Sequence, residues 1–97
     1  MRVVTPKKLK EFSLDNAQAR IPLLNWYEIV KKAKWENLSD IKQDFRTVDY
    51  VGNNRYVFDV KGRGYRIVVI IIFISKKVYI RFIGKHDDYD KIDAKTI

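Results

Sequence analysis

The stretch GNNRYVFDVKGRGYRIVVIIIFISKKVYIRFIGKH, from Gly52 to His86, decides the fold. Its apolar residues recur with a period of two, as on a strand whose successive side chains face opposite ways. Tyr56, Phe58 and Val60 alternate with Arg55, Val57, Asp59 and Lys61. Tyr65 to Ile74 is apolar at both parities, the pattern of a central strand covered on two faces. Lys76 and Lys77 punctuate, and Val78 to Ile83 reads as a last strand. The turn residues Gly52-Asn53-Asn54 and Gly62-Arg63-Gly64 are few enough to make neighbouring strands antiparallel. Val48 and Tyr50, just upstream, read as one more strand.

Working back toward the start, the period lengthens. After Pro22, Leu23, Trp26, Tyr27, Val30 and Ala33 fall at helical spacing. Ser39 is expected to cap a third, short helix whose Ile41 and Phe45 face inward. Thr5-Pro6 reads as the cap and first residue of an earlier helix, because proline has no N–H to leave unpaired there. Leu9 and Phe12 give that helix a narrow apolar stripe, and Arg2 to Thr5 is a β-branched opening strand. The expected architecture is α+β. An N-terminal strand and helices pack on one face of a C-terminal antiparallel sheet, as a single domain over residues 1–97.

Charge narrows the partners. Twenty Lys and Arg stand against 12 Asp and Glu, for a net +8. From Asn53 to Lys85 there are eight bases and one acid, Asp59. So concentrated a positive field attracts polyanions. A membrane is not the expected partner: the longest apolar run, Ile67 to Ile74, is 8 residues, against the ~20 of a spanning helix. Met1 to Lys10 lacks the apolar run of a secretory signal. With no cysteine there is neither a disulfide nor a thiolate metal site, so a reducing cytoplasm is the expected compartment. No P-loop or dinucleotide fingerprint is present, and no cofactor is expected.

On simple alternation, Tyr79, Arg81 and Ile83 share one face of the last strand, with Val78, Ile80 and Phe82 on the other. Arg55 and Lys61 share a parity of their strand, and Arg66 opens the next. If the parities align, these bases and Tyr79 form one patch suited to phosphates and unpaired bases; solvated edge charges are the equal alternative. His86, the sole histidine, is expected in a loop, and an imidazole is the side chain type suited to proton transfer at neutral pH. Asp87, Asp88, Asp90 and Asp93 show no known ligand spacing, so no metal is expected.

The segments Gly52 to Val69 and Ile80 to Asp93 (IRFIGKHDDYDKID) resemble the HigB family of toxins, within the RelE/ParE superfamily of bacterial toxin–antitoxin systems. The resemblance continues through Asn25 to Lys42 (NWYEIVKKAKWENLSDIK). It implies a RelE-like form of the α+β architecture and an mRNA endonuclease acting on translated messages at the ribosome. It also implies neutralisation by a HigA-like helix-turn-helix antitoxin, with operator DNA reached only through that antitoxin. On matching positions, Arg81, His86 and Tyr89 would form the catalytic face, with Lys61, Arg63 and Arg66 near the RNA. Lys85 and Asp87 depart from the family pattern, in which Thr and Ala are expected beside the histidine. The superfamily's gyrase inhibitors, and a non-catalytic RNA-binding domain, are the rival classes; RNA cleavage during translation separates them.

Overall fold

A computed structural model describes residues 1–61 and 64–97. The chain begins with β1 (Arg2–Val4), α1 (Lys7–Asp15), a 3-10 turn (Ala17–Ala19), α2 (Arg20–Lys32) and α3 (Leu38–Asp44). There follow β2 (Asp49–Gly52), β3 (Arg55–Val60), β4 (Tyr65–Ile72), β5 (Lys77–Lys85) and a helical turn, α4 (His86–Tyr89). The sheet order is β1-β5-β4-β3-β2. β2 to β5 form the expected antiparallel meander, with β4 at its centre. β1 joins the free edge of β5 in parallel, which the intervening helices permit by carrying the chain back across the sheet.

Local chemistry explains the boundaries. Asn53 and Asn54 both adopt left-handed backbone (φ 53 and 62), the two-residue turn that matches strand twist. In α2, Pro22 sits in the first turn, and Leu23, Trp26 and Val30 are buried. The cap of α3 is Asn37 and not Ser39, which lies inside the helix. Asn37 Oδ1 accepts from Asp40 N at 3.0 Å, while the Asp40 carboxylate accepts from Glu36 N at 2.9 Å. Two otherwise orphaned N–H groups are satisfied at once. Thr5 supplies its carbonyl to Lys8 N but no side-chain cap, and its own φ is 60.

The inner face of the sheet carries Tyr56, Phe58, Val60, Ile67, Val69, Ile71, Val78 and Ile80, all buried against the helical layer. Phe58 is its centre, 5.5 Å from the Trp26 ring and 5.0 Å from Phe45. The outer face departs from simple alternation. Val68 pairs with Phe82 but Val69 pairs with Ile80, so Arg81 is the extra residue of a β-bulge. The bulge resets the parity. Phe82 therefore shares the outer face with Tyr79, and Ile83 rejoins the core side. After β5 the chain turns through α4 onto the outer face, where Tyr89 meets Phe82 at 6.4 Å between rings. Its far end is held by Asn53 Nδ2, which donates to Lys95 O, and by Arg55, whose Nε and Nη2 donate to Ile97 O.

Candidate active site

Outer-face residues fall into rows across the strands. One row is Asp59, Arg66 and Gly84; the next is Val57, Val68 and Phe82; a third holds Arg55, Ile70 and Tyr79. The expected single basic patch is therefore split. Arg55 and Arg66 stand four residues apart along the strands, ~13 Å, with an apolar row between them. Arg55 is further occupied by Ile97 O, at 3.2 and 2.8 Å.

The row of Arg66 forms a structured cation site. Arg66 Nε lies 3.1 Å from Asp59 Oδ1, and both side chains are about four-fifths buried. The Arg66 guanidinium lies over the Tyr89 ring, 4.5 Å from its centroid. A carboxylate on one edge and an aromatic face beneath hold the guanidinium plane, leaving its Nη atoms to meet an anion. Gly84 makes room in this row: a β-carbon there would lie 2.5 Å from Phe82 Cζ.

Around the end of the sheet is a cleft of about 330 Å³ lined by Gln18, Lys61, Tyr65, Lys85, His86 and Asp87. Lys61 Nζ donates to Gln18 Oε1 at 2.6 Å, and its backbone is left-handed (φ 54). Such backbone costs a non-glycine residue about 1 kcal/mol or more. Phe12 of α1 packs edge-on against Tyr65 at 5.7 Å, fixing the cleft's wall. His86 is not in a loop: it opens α4, and its Nδ1 lies 3.3 Å from Asp90 Oδ2. One helical turn brings positions i and i+4 together, so the histidine acquires a carboxylate partner that linear reading did not assign.

The sequence-expected residues thus divide. Lys61 and His86 share the cleft, and Arg66 and Tyr89 share the adjoining stack. Arg81 is exposed on its bulge, three residues before Gly84 and so ~10 Å along the strand from the row of Arg66. Tyr79 lies farther along still, in the row of Arg55. Arg63 lies outside the described residues. Asp59, Gln18 and Phe82 were not expected at the site, and Asp90 figured only in an acidic run without a ligand spacing; Asp59, the lone acid of its basic segment, gave a signal of its own. α4 also brings donor atoms of His86, Asp87 and Asp90 within 4.8 Å of one another, a grouping hidden in the linear spacing. Both carboxylates are exposed.

Helices on one face of a mostly antiparallel five-stranded sheet, with this cleft at the sheet's end, make an α+β fold consistent with the RelE-like arrangement that the resemblance implied. A profile of the HigB toxin family, described as the RelE-like toxic component of a toxin–antitoxin system, matches residues 19–92. The chain belongs to that family. It is similar to the mRNA interferase toxin HigB of Escherichia coli strain K12, 30% identical over 97 residues covering 97% of this chain and 92% of the relative. The mRNA interferase HigB of E. coli O6:H1 strain CFT073 is 23% identical over 94 residues, covering 95% and 91%. That of Shigella flexneri is 30% identical over 97 residues. Membership of a toxin–antitoxin system implies an antitoxin partner. Among the described residues, no helix is long and apolar enough to cross a membrane.

Proposed function

We propose that this chain is an endoribonuclease that cleaves translated messages at the ribosome, in the cytoplasm, by attack of the ribose 2′-OH on the adjacent phosphate. The observation that carries the reading is the juxtaposition of His86, paired to Asp90, with the Arg66–Tyr89 stack at one end of a basic sheet. The relatives' printed activity as mRNA interferases supports the substrate.

Metal-independent cleavage of this kind needs a base for the 2′ proton, cations for charge growing on phosphorus, and an acid for the 5′ oxygen. With Asp90 at Nδ1, His86 is oriented so that Nε2 is free to exchange the proton. Arg66 is placed to meet phosphate oxygens with its free Nη edge, and Arg81 supplies a second guanidinium along the strand. Tyr89 holds Arg66 by its face and offers its hydroxyl as hydrogen-bond or proton partner. Lys61 and Arg63 act as phosphate contacts. A HigA-like helix-turn-helix antitoxin neutralises the chain and carries the complex to operator DNA.

Expression without antitoxin is expected to arrest growth and create new message 5′ ends inside translated regions, mapped by primer extension. The cut RNA should carry a 2′,3′-cyclic or 3′-phosphate. A 3′-hydroxyl would exclude 2′-OH attack and turn attention to His86, Asp87 and Asp90 as metal ligands. Intact messages with a supercoiling defect would point instead to gyrase.

A further inference from the structure

Gln18 lines the cleft from the Ala17–Ala19 turn that joins α1 to α2. Its Oε1 accepts from Lys61 Nζ at 2.6 Å, across 43 residues of sequence. Strand alternation does not send Lys61 there. Val60 is buried against the helical layer and Asp59 stands in the outer row with Arg66, so Lys61, continuing β3, would share the outer face with Asp59. Its left-handed backbone (φ 54) breaks that alternation. The Lys61 carbonyl accepts from Gly64 N at 3.0 Å, closing the turn, and the side chain reaches around the end of the sheet to the helical layer. Left-handed backbone is unfavourable for a residue with a β-carbon, and strain of this kind gathers where a side chain has to be aimed.

We propose that Gln18 is a positioning residue, which holds the Lys61 ammonium in the cleft beside His86 for the phosphate to meet. The role rests on the nuclease reading and adds to it a group that itself touches neither the phosphate nor the proton in transfer. An ammonium on a four-carbon stem carries much rotamer freedom, and an unheld one must lose it as the reaction proceeds. The bond to Gln18 makes that ordering part of the fold and leaves the other two ammonium hydrogens for phosphate oxygens.

The chemistry of the holder matters as much as its place. A neutral amide leaves the full charge of Lys61 for the phosphate, whereas a carboxylate would cancel it. Asp87 lines the same cleft and would attract an ammonium that nothing else held. The turn carrying Gln18 is itself fixed: Ala19 is fully buried, and its N–H donates to Asn16 O at 2.9 Å.

The test is a double-mutant cycle in single-turnover cleavage of ribosome-bound message. Gln18→Ala should slow the step on bound message ~10–100-fold, the scale of a misplaced group, while the ribosome concentration giving half the maximal rate stays as in the wild type. Lys61→Ala should slow it at least as much. Adding Gln18→Ala to Lys61→Ala should then change nothing further, because the amide has no ammonium left to hold. Gln18→Glu should also be slow, keeping the contact and cancelling the charge. Gln43→Ala, at an exposed glutamine of α3, should cleave as the wild type does. The contact is read without any message by the nitrogen resonance of the Lys61 ammonium, which should be ordered in the wild type and average to that of a free lysine in Gln18→Ala, with the urea midpoint unmoved. A wild-type rate for Gln18→Ala overturns the proposal, as do losses that multiply in the double variant or that follow a fallen urea midpoint. Intact messages with the wild-type chain would instead end the nuclease reading, and the ammonium signal would still decide whether Gln18 holds Lys61.

Discussion

The two faces of one sheet are built on different principles. The inner face is a continuous apolar surface pressed against α1, α2 and the Trp35 region, and its order comes from periodicity alone. The outer face has one apolar row, Val57, Val68 and Phe82, between two charged ones, and its order depends on a bulge and on a returning C-terminal segment. The helix-covered face carries stability. The face that keeps its charges is the one to which the proposed chemistry is assigned, because a guanidinium such as that of Arg66 can meet a phosphate only where burial is incomplete.

That contrast is best broken at Phe58. Phe58→Ala removes a 1%-exposed ring touching Trp26, Trp35 and Phe45, and should cost ~3–5 kcal/mol of stability. Urea titration reads it; a loss below 1 kcal/mol would mean the inner face is not the structural one. Arg66→Ala should do the reverse. Cleavage of ribosome-bound message is expected to fall ~10²–10³-fold, the usual loss on removing one transition-state donor, with the fold kept. Single-turnover rates compared with Arg55→Ala sharpen the point, since Arg55 is already engaged by Ile97 O and should matter far less.

Gly84→Val tests the seam. The new side chain must displace the Phe82 ring, so stability should drop ~1–3 kcal/mol and activity with it as Tyr89 loses its neighbour. A fully active, fully stable variant would show that the Phe82–Tyr89 contact does not position the site. The smallest effect belongs to Tyr56, whose phenol is pushed above its ordinary 10.0 by burial and then by Tyr50, 4.9 Å away ring to ring. A raised folded-state value means the neutral phenol is favoured on folding. Its stabilisation is complete below pH 10 and is lost as pH rises through the folded value. Tyr56→Phe should therefore flatten the alkaline fall of a melting curve; an unchanged slope would place that fall elsewhere.

Where residues alternate without interruption, the sequence was sufficient: Tyr56, Phe58 and Val60 are buried as expected, whereas β4 stops at Ile72, short of the expected Ile74, which is 96% exposed in the turn. Arg81 is where it stopped being so. One extra residue in β5 exchanges the faces of Phe82 and Ile83, and nothing in IRFIGK marks a bulge, because bulges are set by pairing with Val68 and Val69. The site follows the same logic. His86 and Tyr89 enter the candidate site through family resemblance, whereas Asp59 beside Arg66 required the β3–β4 register, and Asp90 beside His86 required α4. Likewise Asn37 displaced Ser39 as a cap through its reciprocal partner Asp40.

The parallel pairing of β1 with β5 has a consequence for how the molecule comes into being. Val3 is made well before its partner Val78, which lies 75 residues later in the sequence. A contact of such sequence separation closes late, since the loop entropy of the intervening residues must be overcome first. The residues from Lys85 to Asp90 leave the ribosome later still. During synthesis β1 therefore waits unpaired for β5, and the cleft that Lys85, His86 and Asp87 line is built only after that strand.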